Sequence, residues 1–354
     1  MTFLVRAAAL TNYTEVAGHL GLDTARLLRQ HGLSLRLIAD PEQRIPLHSV
    51  VALLEESARL ADCPTLGLRM AESRSIADFG AISLLLTHQR TLRDALDATI
   101  QYQHLLNESL ALYVEEAGAT VILREEGAAG GAAQSRQATE LALGVLCRMC
   151  SALLGTHWRP RSVKFTHEAP PDTRVHRRVL GCTPQFGCEF NGIVCRAADL
   201  DRPNPSADPA MARYAERLLQ SLPGAKKQEH SVVLDVRKAI YLMLPMGRAT
   251  IEQIAQGMGV NVRTLQRQLE EAGVTFTDLL QEVRSEIVLR YMENPEFTLA
   301  RIAELLGYGM PSSFTRWFNA QFGMAPIAWR RTLARGSEGR KKSSPQRRSG
   351  QRLR

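Results

Sequence analysis

TIEQIAQGMGVNVRTLQRQLEEAG, residues 250–273, and TLARIAELLGYGMPSSFTRWFNAQFG, residues 298–323, are one pattern written twice. Thr250, Ile254, Ala255 and Gly259 recur forty-eight places on as Thr298, Ile302, Ala303 and Gly307. After one inserted residue, Leu265, Arg267 and Leu269 recur as Phe314, Arg316 and Phe318. Each position has a physical task. A threonine hydroxyl caps a helix N-terminus, and Gln253 completes a capping box in the first copy. The isoleucine faces a core. The alanine is small because two helices cross there. The glycine takes the left-handed residue of a tight turn. The spacing therefore predicts helix-turn-helix units over 250–271 and 298–322, joined by one amphipathic helix over 276–293 that carries Leu279, Leu280, Val283, Ile287 and Leu289.

The second helix of such a unit enters the DNA major groove with its N-terminal and outward side chains. In the first copy Asn261 precedes that helix, and Arg263, Thr264, Gln266 and Arg267 line its outward face. Arginine matches guanine O6/N7 and glutamine matches adenine N6/N7, each through two hydrogen bonds. In the second copy Pro311 presets the first helical turn, Ser312, Ser313 and Arg316 face outward, and Thr315 reaches for a phosphate. Trp317, Phe318, Phe322 and Trp329 read as core. A rigid connector would set the two readers about 34 Å apart, one DNA turn, so a single chain reads an asymmetric site.

These residues also resemble a known family. Residues 231–334 are similar to the DNA-binding domain of AraC/XylS-type bacterial transcription regulators, most specifically IAELLGYGMPSSFTRWFNAQFGMAPIAWRR, with its Pro-Ser pair, Phe-x-Arg-x-Phe, Gly-x-x-Pro and closing Trp-Arg. Gln321 stands where that family usually has an aromatic residue, and Gly309-Met310 where it prefers polar ones. The resemblance implies that Arg263, Gln266 and Arg267 occupy base-reading positions. Residues 15–210 resemble the N-terminal module called arabinose-binding in a branch that includes ornithine-utilisation regulators, which implies a small-molecule sensing domain of unspecified ligand. Together the resemblances imply a transcriptional activator controlled by an effector, with double-stranded DNA, RNA polymerase and a second copy of the chain as partners, and no cofactor.

The chain has 354 residues, enough for two domains. Its net charge of +8 is concentrated at one end: residues 335–354 hold eight Lys/Arg against one Glu. That segment is poor in apolar residues and reads as a disordered basic tail that adds sequence-independent phosphate attraction. No stretch approaches the ~18 apolar residues of a membrane span, and the start is too interrupted for a signal peptide, so a cytoplasmic protein is expected. No Gly-rich phosphate loop, His-x-x-x-His or Gly-x-Ser-x-Gly occurs, and no convergent set of catalytic groups can be assembled, so no enzymatic activity is expected.

Ahead of a linker at 223–230, residues 1–222 read as an α+β sensing and dimerisation domain, followed by an all-α DNA-binding domain. Helices are expected at 17–31, 46–60, 91–110, 137–154, 173–180 and 209–222, and residues 79–87 read as a buried apolar run in a mostly helical stretch. Strands are expected at 111–116, 120–125, 161–167, 185–190 and 192–196, with a Gly/Ala loop over 127–133. A helix beginning at Ser231 opens the second domain. Polar residues between apolar faces, as in Gln101-Tyr102-Gln103-His104, suit an apolar pocket with a few orienting groups. Tyr102, His104, Asn107 and Trp158 are the candidate effector contacts. The alternative is a thiol- or metal-responsive regulator built on Cys147 and Cys150, whose C-x-x-C spacing would need Cys182, Cys188 or Cys195 nearby.

Overall fold

The computed structural model describes residues 3–127, 136–222 and 231–333. The Gly/Ala loop beyond residue 127, the linker and the basic tail of the sequence reading lie outside them. Strand β1 (Leu4–Arg6) pairs antiparallel with β2 (Arg44–Pro46), and α1 (Tyr13–His19), α2 (Thr24–Gln30) and α3 (Leu35–Ile38) fill the excursion between them. The single helix expected at 17–31 is broken in two. Gly21 takes φ +78°, and the Asp23 carboxylate accepts the Arg26 N–H at 3.0 Å, capping a new helix start.

Four helices follow: α4 (Leu47–Leu60), α5 (Leu66–Glu72), α6 (Ala81–Thr87) and α7 (Leu92–Tyr102). Thr91 caps α7 by accepting the Asp94 N–H at 3.1 Å. The helix ends at Tyr102 rather than near 110, because Gln103–Leu105 tightens into a 3-10 turn and the Asn107 side chain accepts the Ser109 N–H at 2.9 Å.

The expected hairpin is β3 (Leu110–Ala117) and β4 (Thr120–Gly127), turning at Gly118 with φ +62°. After α8 (Arg136–Leu154) come β5 (Ser162–Lys164), α9 (Arg174–Leu180), β6 (Pro184–Gln185), β7 (Gly192–Arg196), α10 (Ala197–Leu200) and α11 (Pro209–Ser221). The sheet order is β3-β4-β7-β5-β6, with only β5 and β6 parallel. The strand expected at 185–190 stops after Gln185, since the chain turns at Gly187, φ +66°. Helix α8 has the length and composition to cross a membrane, with mean hydropathy 1.2 over its most apolar 18 residues, but 61% of that window is buried. Its apolarity serves packing: Gly144 lies against Ala71 and Gly67 of α5 against the Gln137 carbonyl, each so close that an added Cβ would collide.

The C-terminal part is helical: α12 (Val232–Met243), α13 (Ile251–Gly257), α14 (Val262–Glu271), α15 (Phe276–Glu293), α16 (Leu299–Leu305), α17 (Pro311–Phe322) and a last helical stretch over 326–333. Ser231 precedes α12 but makes no side-chain cap bond. One apolar core runs through these helices, and two others lie among residues 3–222. In the connector α15 the buried stripe is Leu279, Val283, Ile287, Val288, Tyr291 and Met292, while Leu289 faces out.

Along β4, side chains alternate between faces. Val121, Leu123 and Glu125 point inward, the first two being fully buried in the core. Ile122, Arg124 and Glu126 share the opposite face, where α12 crosses β3 and β4. There the C-terminal helices are tied down. The Arg290 guanidinium donates to Glu126 at 3.1 Å, the Tyr291 hydroxyl donates to the Glu189 carbonyl at 3.1 Å, and the Asn294 amide donates to the Gly187 carbonyl at 3.2 Å.

Candidate nucleic-acid interface

The two helix-turn-helix units form as the repeat predicts. Thr250 accepts the Gln253 N–H at 3.3 Å and Thr298 accepts the Arg301 N–H at 3.1 Å. The Gln253 side chain does not return the bond, so the capping box of the first copy is half made. The full box lies instead at Thr275 and Asp278, which start the connector. Gly259 and Gly307 take φ +69° and +72°, the left-handed residue each turn requires. Ile254, Ala255, Ile302 and Ala303 are buried, as are Leu265, Leu269, Phe314 and Phe318 of the second helices. Trp317, Phe322 and Trp329 are only half-buried, packed as a rim around Phe318.

On α14 the side chains of Arg263, Gln266 and Arg267 are exposed and Thr264 is half-buried. Asn261 is the helix cap: its side-chain oxygen accepts the Thr264 N–H at 2.8 Å, so that oxygen is partly committed within the helix. Arg267 lies 3.8 Å from Glu271, with both side chains about two-thirds exposed (70% and 67%). Such a pair is weak in water and yields readily to a nucleic-acid acceptor. On α17, Ser312, Ser313, Thr315 and Arg316 are all exposed. Arg316 forms no ion pair among the described residues. The Thr315 hydroxyl donates to the Pro311 carbonyl at 3.0 Å, so its oxygen is partly committed within the helix.

The connector holds the second unit through polar bonds that the apolar pattern does not reveal. Arg284 donates from Nε to the Leu306 carbonyl at 2.9 Å and lies 4.4 Å from the centre of the Tyr308 ring. Burial lowers the Arg284 pKa and pushes Tyr308 up to about 12. At the other face Arg237 of α12 pairs with Glu282 at 3.0 Å and with Glu286. The two helix-turn-helix units and the connector thus share one apolar core.

Comparison with known proteins agrees with that geometry. Residues 21–204 match the arabinose-binding domain of AraC transcription regulators, N-terminal, and residues 254–332 match a helix-turn-helix domain. The chain is 31% identical over 331 residues to the HTH-type transcriptional regulator VirS of Mycobacterium tuberculosis, covering 92% of this chain and 96% of that one. The chain belongs to the AraC family of transcription regulators. Another relative is the Ornithine utilization regulator of Pseudomonas aeruginosa, 24% identical over 92% of this chain and 96% of its own. Among solved structures, the transcriptional regulator CdpR from Pseudomonas aeruginosa aligns at TM-score 0.41 and 19% identity, over 86% of this chain and 97% of that one. As an AraC-family chain it is a DNA-binding transcription regulator, and its DNA-binding part is the helix-turn-helix region.

The effector candidates read from the sequence do not share one cavity. Tyr102 and His104 line a cleft of about 540 Å³ between the end of α7 and the DNA-binding helices, facing Asp235, Lys238 and Met258. Asn107 lines a different, mainly apolar cavity of about 180 Å³ inside the N-terminal domain. Trp158 lines neither, and its indole N–H donates to Asp199 at 3.2 Å within the core. The sequence reading missed the carboxylates that meet the DNA-binding helices, Glu126 and Glu189. Glu189 takes Arg301 of α16 in two bonds, 2.7 and 2.8 Å, and these raise the Arg301 pKa. A signal for the inner wall was present: Glu125 sits on the parity of β4 whose other members, Val121 and Leu123, are apolar.

Cys147, Cys150 and Cys195 are buried in the same core, with Cys182 packed against it. Burial is the main cause that raises every one of these thiols, Cys182 to about 11 and Cys195 to about 12. Thiols held in that state are poor nucleophiles and poor metal ligands. Among the described residues no group of three or more His, Cys, Asp or Glu side chains is arranged to hold a metal ion.

Proposed function

We propose that this chain is an effector-controlled transcriptional activator of the cytoplasm that reads two consecutive major grooves of one asymmetric DNA site. In this reading α14 presents Arg263, Gln266 and Arg267 to base edges in one groove, and α17 presents Arg316 in the next, with Ser312, Ser313 and Thr315 on phosphates. The observation that carries it is the pair of exposed recognition helices, each with an unburied arginine at the same repeat position, mounted on one connector. Residues 1–222 form the sensing and dimerisation domain, 223–230 the linker and 231–334 the DNA-binding domain. The effector binds the N-terminal domain and shifts the population of arrangements that engage DNA, which requires unequal affinity for the two arrangements. RNA polymerase and a second copy of the chain complete the set of partners.

The test is footprinting on the intergenic region beside the chain's own gene, followed by in vitro transcription with metabolites of the neighbouring genes' pathway. A protected, non-palindromic site of about two helical turns, with transcription raised by one metabolite, is the expected result. A palindromic footprint of half-sites, or a footprint with no sequence preference, would overturn the two-groove reading.

A further inference from the structure

The 180 Å³ cavity of the N-terminal domain is walled by apolar side chains, among them Leu54, Leu106, Leu112, Leu141 and Leu146, and carries few polar groups. Most of those are already engaged. Arg6 is held by Glu42 and by the Asp78 carbonyl at 3.1 Å. The terminal nitrogens of Arg74 donate to the carbonyls of Ala8 and Ala9, and Asp78 lies 3.9 Å away. Only Nε of that guanidinium lacks a partner. The Thr99 hydroxyl donates to the Ala95 carbonyl at 2.8 Å.

Besides that Arg74 N–H and the amide of Asn107, what remains is acceptor. Glu125 is 6% exposed and lines the cavity, and no hydrogen bond reaches its carboxyl among the described residues. The buried Gln103 Oε1 also lacks a donor. A buried carboxyl without a partner is costly to keep in a core, and an acceptor set in an apolar wall is matched by a ligand with an apolar body and a cationic donor. The next residue, Glu126, projects from the other face of β4 and holds Arg290 of the connector.

Building on the proposed function, we propose that this cavity binds a small apolar primary amine whose ammonium pairs with Glu125, and that occupancy reaches the DNA-binding helices through the Glu126–Arg290 pair. The size is right for a single ring with a short chain, since a cavity of about 150 Å³ accommodates benzene. The ammonium exchanges the charge state of Glu125. Burial and the neighbouring Glu126 push its carboxyl up to about 8, so the empty site is mostly protonated at neutral pH and amine binding releases that proton. The other ionisable groups facing the site are Arg6, Arg74 and Asp78 of its wall and Cys147 of α8. Amine affinity therefore rises with pH toward 8 and then levels.

The experiment uses the full chain and three matched probes: phenethylamine, 2-phenylethanol and 3-phenylpropionate. Calorimetry and thermal shift should show phenethylamine binding tightest, the alcohol weaker and the carboxylate not at all. Glu125→Gln should weaken phenethylamine at least tenfold and leave the alcohol unchanged. Glu126→Gln should keep phenethylamine affinity but abolish any amine-induced change in DNA affinity. Equal or tighter binding of the carboxylate, absence of phenethylamine binding, or undiminished amine binding by Glu125→Gln would overturn the ligand assignment. An amine response that persists in Glu126→Gln would overturn the route. DNA affinity measured without probe tests the regulator reading separately, so the two can fail independently.

Discussion

Arg267 and Arg316 occupy the same place in the two repeats, both are exposed, and neither is held by a buried partner. Replacing either with alanine should weaken specific DNA binding by about 1–3 kcal/mol and relax preference at particular base pairs. Gel-shift affinities across single-base variants of the footprinted site check this, and an unchanged base preference would make them phosphate contacts only. A different kind of residue dominates the N-terminal fold. Glu140, fully buried on α8, receives Arg136 at 3.0 Å and His176 at 3.0 Å, and His167 Nε2 stands 3.3 Å away without a hydrogen bond. Phe165 and Phe186 stack beside the two imidazoles. Glu140→Ala should cost about 1–3 kcal/mol, because it leaves the fully buried His176 imidazole and the partly buried Arg136 without their shared acceptor; urea unfolding measures it. Glu125 has the opposite sign. Its folded pKa of about 8 lies above the 4.5 of a free carboxyl. The unfolded chain ionises first, so stability falls as pH rises from about 4.5 to about 8. Glu125→Gln should be more stable than the parent at pH 8, with the gap closing toward pH 5, as read by thermal denaturation.

At the scale of elements, what was legible depended on repetition and on period. The duplicated units were readable because a cap, a core pair and a left-handed glycine recur in register, and α15 matched its expected bounds, 276–293. The exposed side chains of α14 and α17 could be named for the same reason: residues between two buried anchors on a helix have one direction left. The N-terminal elements were harder. β1 and β2 are three residues each, too short for alternation to show. The break in the first helix hung on one glycine and one aspartate cap, and β6 ended where Gly187 turns. Cavity residues were least legible, since a helix pattern tells which residues are buried but not which buried faces fail to close on each other. Tyr102 and Asn107 lie five positions apart and open into different spaces. The turns themselves are testable. Gly307→Val forces a β-branched residue to φ +72° and should lose about 1–2 kcal/mol or more. DNA affinity should fall further than the folded fraction alone requires, because α17 is re-aimed; guanidinium unfolding beside a binding titration separates the two.

Across the whole molecule, charge and contact divide the labour. The +8 of the chain is largely carried by residues 335–354, whereas the recognition helices offer few arginines in chosen places. Truncation after residue 334 should lower non-specific DNA affinity and flatten its dependence on salt, while the preferred sequence stays the same; titrations at several salt concentrations on specific and random duplexes check both. The inner and outer faces of β4 carry the remaining logic. A strand is one residue thick, so odd positions 121, 123 and 125 face the N-terminal core, where Glu125 reaches the cavity, and even positions 122, 124 and 126 face the other way, where Glu126 holds Arg290. Substitutions can therefore drift on one parity and leave the other intact: a lineage can retune what it senses without redesigning how the signal leaves. An insertion or deletion of a single residue has no such freedom, because it trades the two sets of side chains at a stroke. Descendants of this chain should vary along β4 by replacement and keep its length.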